Sequence, residues 1–312
     1  MKLLITGDWH LTIRKPRSRL DNYVKAQVGK ISQIEKICSD CNIDLLLQPG
    51  DLTDNWEFPD KFKTRWIGFL KRLPHIVAVP GQHDMRYHTS DIDNTPLGVL
   101  RKAVDFSVIT TKIPFVMGDI CMYGAGWNSP IPKPHTTDCF NALIVHKMIT
   151  LDKIWAQQEN YEVPGTFLRN NNFDLIVSGD NHNSFHYWVK DVETESGKLE
   201  QRWLINCGSL MRSKIDQEDH KPCVWVYDTD TRSAEQIFLQ IKPFNEVFDL
   251  EASASSRKRN ERLAELADSL KKKSRIKGLD YKARVAKRIK ELGESIKPKT
   301  KNMVEEMMGD DS

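Results

Sequence analysis

The sequence predicts an α/β protein whose parallel strands deliver polar, metal-binding side chains to one rim of a sheet. Two observations carry that expectation. Short apolar runs alternate with stretches of helical periodicity through the first third of the chain, an order that implies parallel strands joined by right-handed crossovers. Each run also stops abruptly in glycine and a ligand-type residue, at Gly7-Asp8-Trp9-His10, Gly50-Asp51 and Gly81-Gln82-His83-Asp84. The carboxyl ends of strands are where open α/β sheets bind ligands.

Taken in order, Leu3-Leu4-Ile5 reads as a buried strand. Side chains alternate along an extended chain, so Asp8 and His10 are expected to point the same way and grip one object. Asp21 to Asn42 has helical spacing, with Val24, Val28, Ile31, Ile34 and Ile37 on one face. Ile43 to Gln48 follows as a second strand, Phe62 to Leu73 as a helix, and His75 to Val79 as a third strand. The second half is richer in strands. Phe115 to Tyr123 reads as a hairpin leading into the loop Gly124 to Trp127, and Ala142 to Val145 as a strand capped by His146. Phe173 to Ser178 ends in Gly179-Asp180-Asn181-His182. Two further hairpins turn near Ser196-Gly197 and Asp228 to Thr231, with Asn206-Cys207-Gly208-Ser209 between them.

Composition narrows the class. A chain of 312 residues with 39% hydrophobic content can bury one large core or two modest ones. No apolar run approaches the roughly 20 residues that cross a bilayer, so no membrane role is expected. The cysteines lack disulfide-framework spacing, and Cys38 and Cys41 fall in a helical pattern, which points to structural thiols in a reducing, cytoplasmic setting. The net charge of +3 conceals an uneven distribution: residues 251–301 carry +10 and the last eleven carry −4. The small, polar stretch within 251–256 is expected to link a domain over 1–250 to a basic helical segment over 257–312. In that segment Leu263, Leu266, Ala267 and Leu270 form one stripe and Val285, Ile289 and Leu292 another, with Gly278 between them, the pattern of two short amphipathic helices.

The strand-end residues Asp8, His10, Asp51, Gln82, His83, His146, Asp180 and His182 come from five separate strand ends. Mixed carboxylate, imidazole and amide-oxygen donors suit a pair of ions such as Mn²⁺, Fe²⁺ or Mg²⁺ better than thiophilic metals. Two such ions about 3.5 to 4 Å apart, bridged by one carboxylate, activate a water and neutralise charge on a phosphoryl oxygen. A site of that kind hydrolyses phosphate esters. Arg86 lies just past the third motif, within reach of a phosphate, and Trp127 follows a glycine loop from which it could stack on a base.

These five motifs resemble those of the calcineurin-like metallophosphoesterases. Within them the chain is most similar to the SbcD-type DNA nuclease subunits of double-strand-break processing complexes, short phage versions especially. The resemblance covers about residues 1–240 and implies a four-layer α/β sandwich with a C-terminal helix-loop-helix tail. It implies that Asp8, His10 and His182 hold one ion, that Asp51 bridges, and that Gln82, His146 and Asp180 hold the second ion, with Mn²⁺ the foremost metal and Mg²⁺ or Fe²⁺ as alternatives. His83 would be the general acid for the leaving oxygen, oriented by Asp54. Two positions depart from the family pattern. Gln82 stands where the family has Asn, and Asp180 where it usually has His; the added carboxylate favours Mn²⁺ or Mg²⁺ over zinc.

The resemblance also implies partners: DNA, and an SbcC-like coiled-coil ABC ATPase held by the tail through Leu263, Leu266, Leu270, Val285, Ile289 and Leu292. A homodimer is compatible with it. The expected activity is metal-dependent exo- or endonucleolytic hydrolysis in DNA end processing, recombination or repair, in the cytoplasm, or the host cytoplasm for a phage protein. A protein phosphatase, a small phosphodiesterase and a non-catalytic DNA-repair scaffold are the alternatives. Substrate separates the first two from a nuclease, and an Asp51→Asn variant separates the third.

Overall fold

The computed structural model describes residues 1–250 except 58, 90, 135–138, 154–157, 159 and 194–198. The expected linker, the tail stripes Leu263, Leu266, Leu270, Val285, Ile289 and Leu292, and the Ser196-Gly197 turn therefore lie outside the described residues.

Two six-stranded sheets organise the unit Met1–Asp249. The first runs β12 (Ser233–Phe238), β11 (Cys223–Asp228), β1 (Lys2–Ile5), β2 (Leu45–Gln48), β3 (His75–Ala78), β4 (Phe106–Val108). The second runs β5 (Phe115–Met117), β6 (Ile120–Ala125), β7 (Phe140–His146), β8 (Leu175–Gly179), β10 (Leu199–Asn206), β9 (Phe185–Glu193). Parallel pairing joins β1 through β4 and, in the other sheet, β6, β7, β8 and β10. Antiparallel strands form one edge of the first sheet, through β11 and β12, and both edges of the second, through β5 and β9.

The period-two alternation of the strands sorts their apolar side chains into separate cores. Leu3, Ile5, Leu45, Leu47 and Val77 pack with Met122, Ile144 and Val177 of the other sheet. The alternate residues Leu4, Leu46, Ile76 and Ala78 pack on helices α1 (Tyr23–Cys41), α2 (Asp60–Leu70) and α3 (Pro96–Ala103). On the far side Leu143, Val145, Ile176 and Leu204 pack on Phe167 and Leu168 of α4 (Pro164–Asn170). Helix, sheet, sheet and helix form the four layers expected.

Local chemistry explains the longest helix. Asn22 Oδ1 accepts from Lys25 N at 3.0 Å, a cap that contributes about 1 kcal/mol. Its buried Ile31, Ile34 and Cys38 lie on the core stripe, and Asn42 ends it at φ 52°, the left-handed conformation asparagine tolerates. Burial pushes the Cys38 thiol up to about 12, so this member of the Cys38/Cys41 pair is inert, as a structural thiol should be. The short α3, β4 and α4 are absent from the periodicity reading. At eight, three and seven residues they are too brief for a repeat to show, and both helices begin with proline at the first turn. Among the described residues no helix is long and apolar enough to cross a membrane.

Candidate metal centre

β1 ends at Ile5, and beyond it the chain leaves the strand conformation. Asp8 N donates to Gly208 O (3.1 Å) and Leu210 N to Asp8 O (2.8 Å), while Trp9 N and His10 N both donate to Asp51 O (3.1 and 2.9 Å). A Cβ on Gly7 would collide with the Gly208 carbonyl, so the two loops cross closely here. His10 then takes φ 45°. Asp8 and His10 converge through a left-handed turn, which corrects the strand alternation inferred from their spacing. Asp51 (φ 49°) and Asp180 (φ 77°) adopt the same region. Non-glycine residues held there cost on the order of 1–3 kcal/mol each, and such strain clusters at functional sites.

One group of donors comprises Asp8, His10 and His182, whose ligand atoms lie within 4.8 Å of one another. His10 Nε2 is 3.1 Å from His182 Nε2, and His182 Nε2 is 3.6 Å from Asp8 Oδ2. Two imidazole nitrogens each about 2.1 Å from a shared cation sit roughly 3 Å apart, so the pair fits a single ion. The second group forms around Asp51 Oδ2, which is 3.6 Å from His10 Nε2 and 3.5 Å from His146 Nε2. His146 Nδ1–H donates to Pro49 O at 2.8 Å, which fixes the ring with Nε2 as the atom facing Asp51. Gln82 Nε2 donates to Asp180 Oδ1 at 3.3 Å, so these two expected ligands do meet.

Three buried atoms in this space, Asp8 Oδ1, Asp51 Oδ2 and His146 Nε2, have no hydrogen-bond partner. Buried acceptors are normally satisfied, and divalent cations would satisfy these. The electrostatics agree. Burial pushes Asp8 well above the usual carboxylate range and Asp180 upward, and holds His10 down to about 3 and His182 to about 4. For Asp51 and His146, burial is outweighed by mutual attraction, which lowers the carboxyl and raises the imidazole to about 10. His10 and His182 are thereby kept unprotonated and Asp51 ionised, the forms a metal ligand needs, while a bound cation would displace the protons that burial favours on Asp8 and that Asp51 favours on His146.

His83 sits at the mouth, 43% exposed, its ring edge-on to His10 with centroids 4.9 Å apart. Its backbone N–H donates to Asp51 Oδ1 at 2.9 Å, and its Nδ1 lies 3.0 Å from the carbonyl oxygen of Asp54. The Asp54 carboxylate lies 3.7 Å from His10 Nδ1 instead. The Asp54 carbonyl thus holds the His83 ring, while the Asp54 carboxylate stands among the donor atoms of His10 and His83, all within 4.8 Å of one another.

Sequence reasoning gave Asp84 no role. The structure buries it completely and has it accept from Gly81 N (2.9 Å), Leu52 N (3.3 Å), Thr53 N (2.8 Å) and Thr53 Oγ1 (2.8 Å). It thus ties the second motif loop to the third, and burial with the nearby Asp51 raises its carboxyl to about 6. Its place in Gly81-Gln82-His83-Asp84 was the available signal. The predicted Arg86 and Trp127 each enter an aromatic cluster, Arg86 with Trp56 and Tyr87, and Trp127 with His88. The Arg86 guanidinium lies 4.8 Å over Trp56 and 5.3 Å over Tyr87, Trp56 and Tyr87 are 5.3 Å apart, and His88 and Trp127 are 4.9 Å apart. Tyr87 is 72% exposed.

Carboxylates and imidazoles gathered at the strand ends of a layered α/β fold define a metal-dependent hydrolase. The calcineurin-like phosphoesterase family matches residues 1–184, which contain all of the clustered donors, and the chain belongs to that family. No curated protein matches the sequence. Similar solved structures include TT1561 of Thermus thermophilus (12% identity, 77% of this chain and 99% of that one, TM-score 0.47). A metallophosphoesterase from Sphaerobacter thermophilus (12%, 84% and 95%, TM-score 0.38) and the Pseudomonas putida nuclease MPE (12%, 72% and 84%, TM-score 0.33) are also similar.

Proposed function

We propose that this phosphoesterase cleaves the phosphodiester backbone of DNA, as the nuclease subunit of an end-processing complex with an SbcC-like ABC ATPase. The observation that carries the nucleic-acid reading is the cluster of Trp56, Arg86 and Tyr87, whose arginine lies three residues past His83 in the chain. Base–aromatic stacking contributes roughly 1 to 3 kcal/mol per base, and an arginine between rings serves both a base face and a phosphate. A phosphopeptide offers no succession of flat rings to match. The ATPase partnership rests on the apolar stripes of the basic tail, which suit a groove or coiled-coil partner.

In this reading Asp8, His10 and His182 would hold one divalent ion, Gln82, His146 and Asp180 another, and Asp51 would serve both. Mn²⁺ is favoured by the hard carboxylate at Asp180. When bound, such ions activate water at neutral pH and neutralise phosphoryl charge. The chain's own residues do the rest. The Pro49 carbonyl locks the His146 tautomer, and Asp84 holds the Asp51 and His83 loops in register. His83, anchored through Nδ1 to the Asp54 carbonyl, presents Nε2 at the mouth, where a proton carried on that atom passes to the departing oxygen.

The test is cleavage of linear duplex DNA with Mn²⁺, with and without candidate ATPase. Asp51→Asn should abolish cleavage while sparing DNA binding. Arg86→Ala and Tyr87→Ala should weaken DNA binding about tenfold and leave hydrolysis of a small phosphodiester intact. Turnover of phosphopeptides or small esters with none of DNA would sink the reading.

A further inference from the structure

Between the first half of α1 and the segments 211–222 and 240–247 lies a cleft of about 380 Å³. None of its lining residues is a candidate metal ligand, and its walls adjoin the metal centre through Gln27, whose Nε2 donates to His10 O at 3.0 Å, and through Leu210, whose N donates to Asp8 O at 2.8 Å. The lining includes five cations, Arg19, Lys25, Lys30, Arg212 and Lys242, against one carboxylate, Asp21. Arg19, Lys30 and Arg212 are buried, at 4%, 6% and 5% exposure.

The single carboxylate is already committed, since Asp21 accepts two 2.8 Å hydrogen bonds from Arg19. Lys30 Nζ donates to Gln240 O and an Arg212 amino group to Lys242 O, each at 2.5 Å. Both acceptors are neutral carbonyls. Among the described residues no carboxylate comes within 4.0 Å of Lys30 or Arg212. An ammonium has three donors and a guanidinium five, so several remain for a ligand. Burial, with Arg212 and Arg19 nearby, holds Lys30 down to about 7. Asp21 pairs with Arg19 and, with Glu218, acts on Arg212 only at longer range, which leaves three buried cations under-compensated, and an anion in the cleft offsets that cost. The amino end of α1, positive through its peptide dipoles, opens on the same cleft at Asn22 and Lys25.

We propose that this cleft is an accessory phosphate-binding site, separate from the metal centre. A phosphate group presents several oxygens and up to two charges to donors arriving from three sides, which a single carboxylate cannot do. The group comes either from free phosphate or a nucleotide, or from a nucleic-acid end.

The full-length protein with its metals is titrated with inorganic phosphate, dAMP and a 5′-phosphorylated oligonucleotide at fixed ionic strength. Crystals are soaked in tungstate as a phosphate stand-in. Anomalous density is expected between Lys30 and Arg212, and Lys30→Met and Arg212→Met should each weaken one component of the binding isotherm about tenfold with small-ester hydrolysis unchanged. The tightest of the three ligands identifies the source. Isotherms identical in wild type and variants, or tungstate at the metal centre alone, overturn the proposal. Lys30→Met keeps the apolar stem and removes a buried charge, so it decides the matter even if the Arg212 variant does not fold.

Discussion

His83 touches the metal centre through its backbone N–H, and its ring, whose Nε2 is 3.9 Å from Asp51 Oδ2, stands with His10 and Asp54 in another group of donors; in the proposed mechanism that ring carries a proton and is no ligand. His83→Ala should therefore slow cleavage by roughly 10²- to 10⁴-fold with bound metal unchanged by elemental analysis; lost metal would make His83 a ligand. Lys30 supports a second prediction. Its ammonium titrates near 7 in the folded protein because of burial and the adjacent Arg212 and Arg19, against 10.5 for the unperturbed group. Between those values the unfolded chain binds more protons, so stability should rise as pH increases from about 7 toward 10. Urea midpoints in chloride buffers should show that rise in wild type and a flatter limb in Lys30→Met. Parallel limbs would assign the effect to other groups.

At the level of elements, the strand ends carry the chemistry by ceasing to be strands. β1, β2 and β8 are buried and regular, and the residues beyond them turn through left-handed conformations at His10, Asp51 and Asp180. The regular parts supply rigidity, and the irregular parts aim the donors. Among the described residues every member of the three cores lies within Met1–Asp249, and a chain stopped before Ser253 is predicted to retain cooperative unfolding with its urea midpoint little changed. It should also lose co-purification with the ATPase, since the apolar stripes proposed to hold that partner are gone. Persistent co-purification would move the contact into the phosphoesterase domain.

Across the whole molecule, the metal centre is a hole in the electrostatics that cations complete. Residues from β1, β2, β7 and β8 ends, far apart in the chain, meet there, so bound ions cross-link the two sheets. Chelation should lower Tm, at about 2–4 °C per kcal/mol of lost binding, and replacement of the metal should restore it. Mn²⁺ should restore turnover better than Zn²⁺ at equal concentration, given the carboxylate at Asp180. A titration with zinc superior would argue against the hard-ligand account of that position.

The sequence by itself determined the alternation of strands and helices, the long capped helix and the identity of the clustered donors, because apolar periodicity and abrupt glycine-acid endings are local properties. Tertiary structure alone decided how the donors are aimed. His10 turns by a left-handed backbone, Asp54 supports His83 with a carbonyl, and Asp84 joins two loops from inside. It also gathered Trp56, Arg86 and Tyr87 into one cluster, and Arg19, Lys30 and Arg212 into one cleft. Those pairings are made between segments distant along the chain, and no local pattern encodes which distant backbone group a side chain will meet.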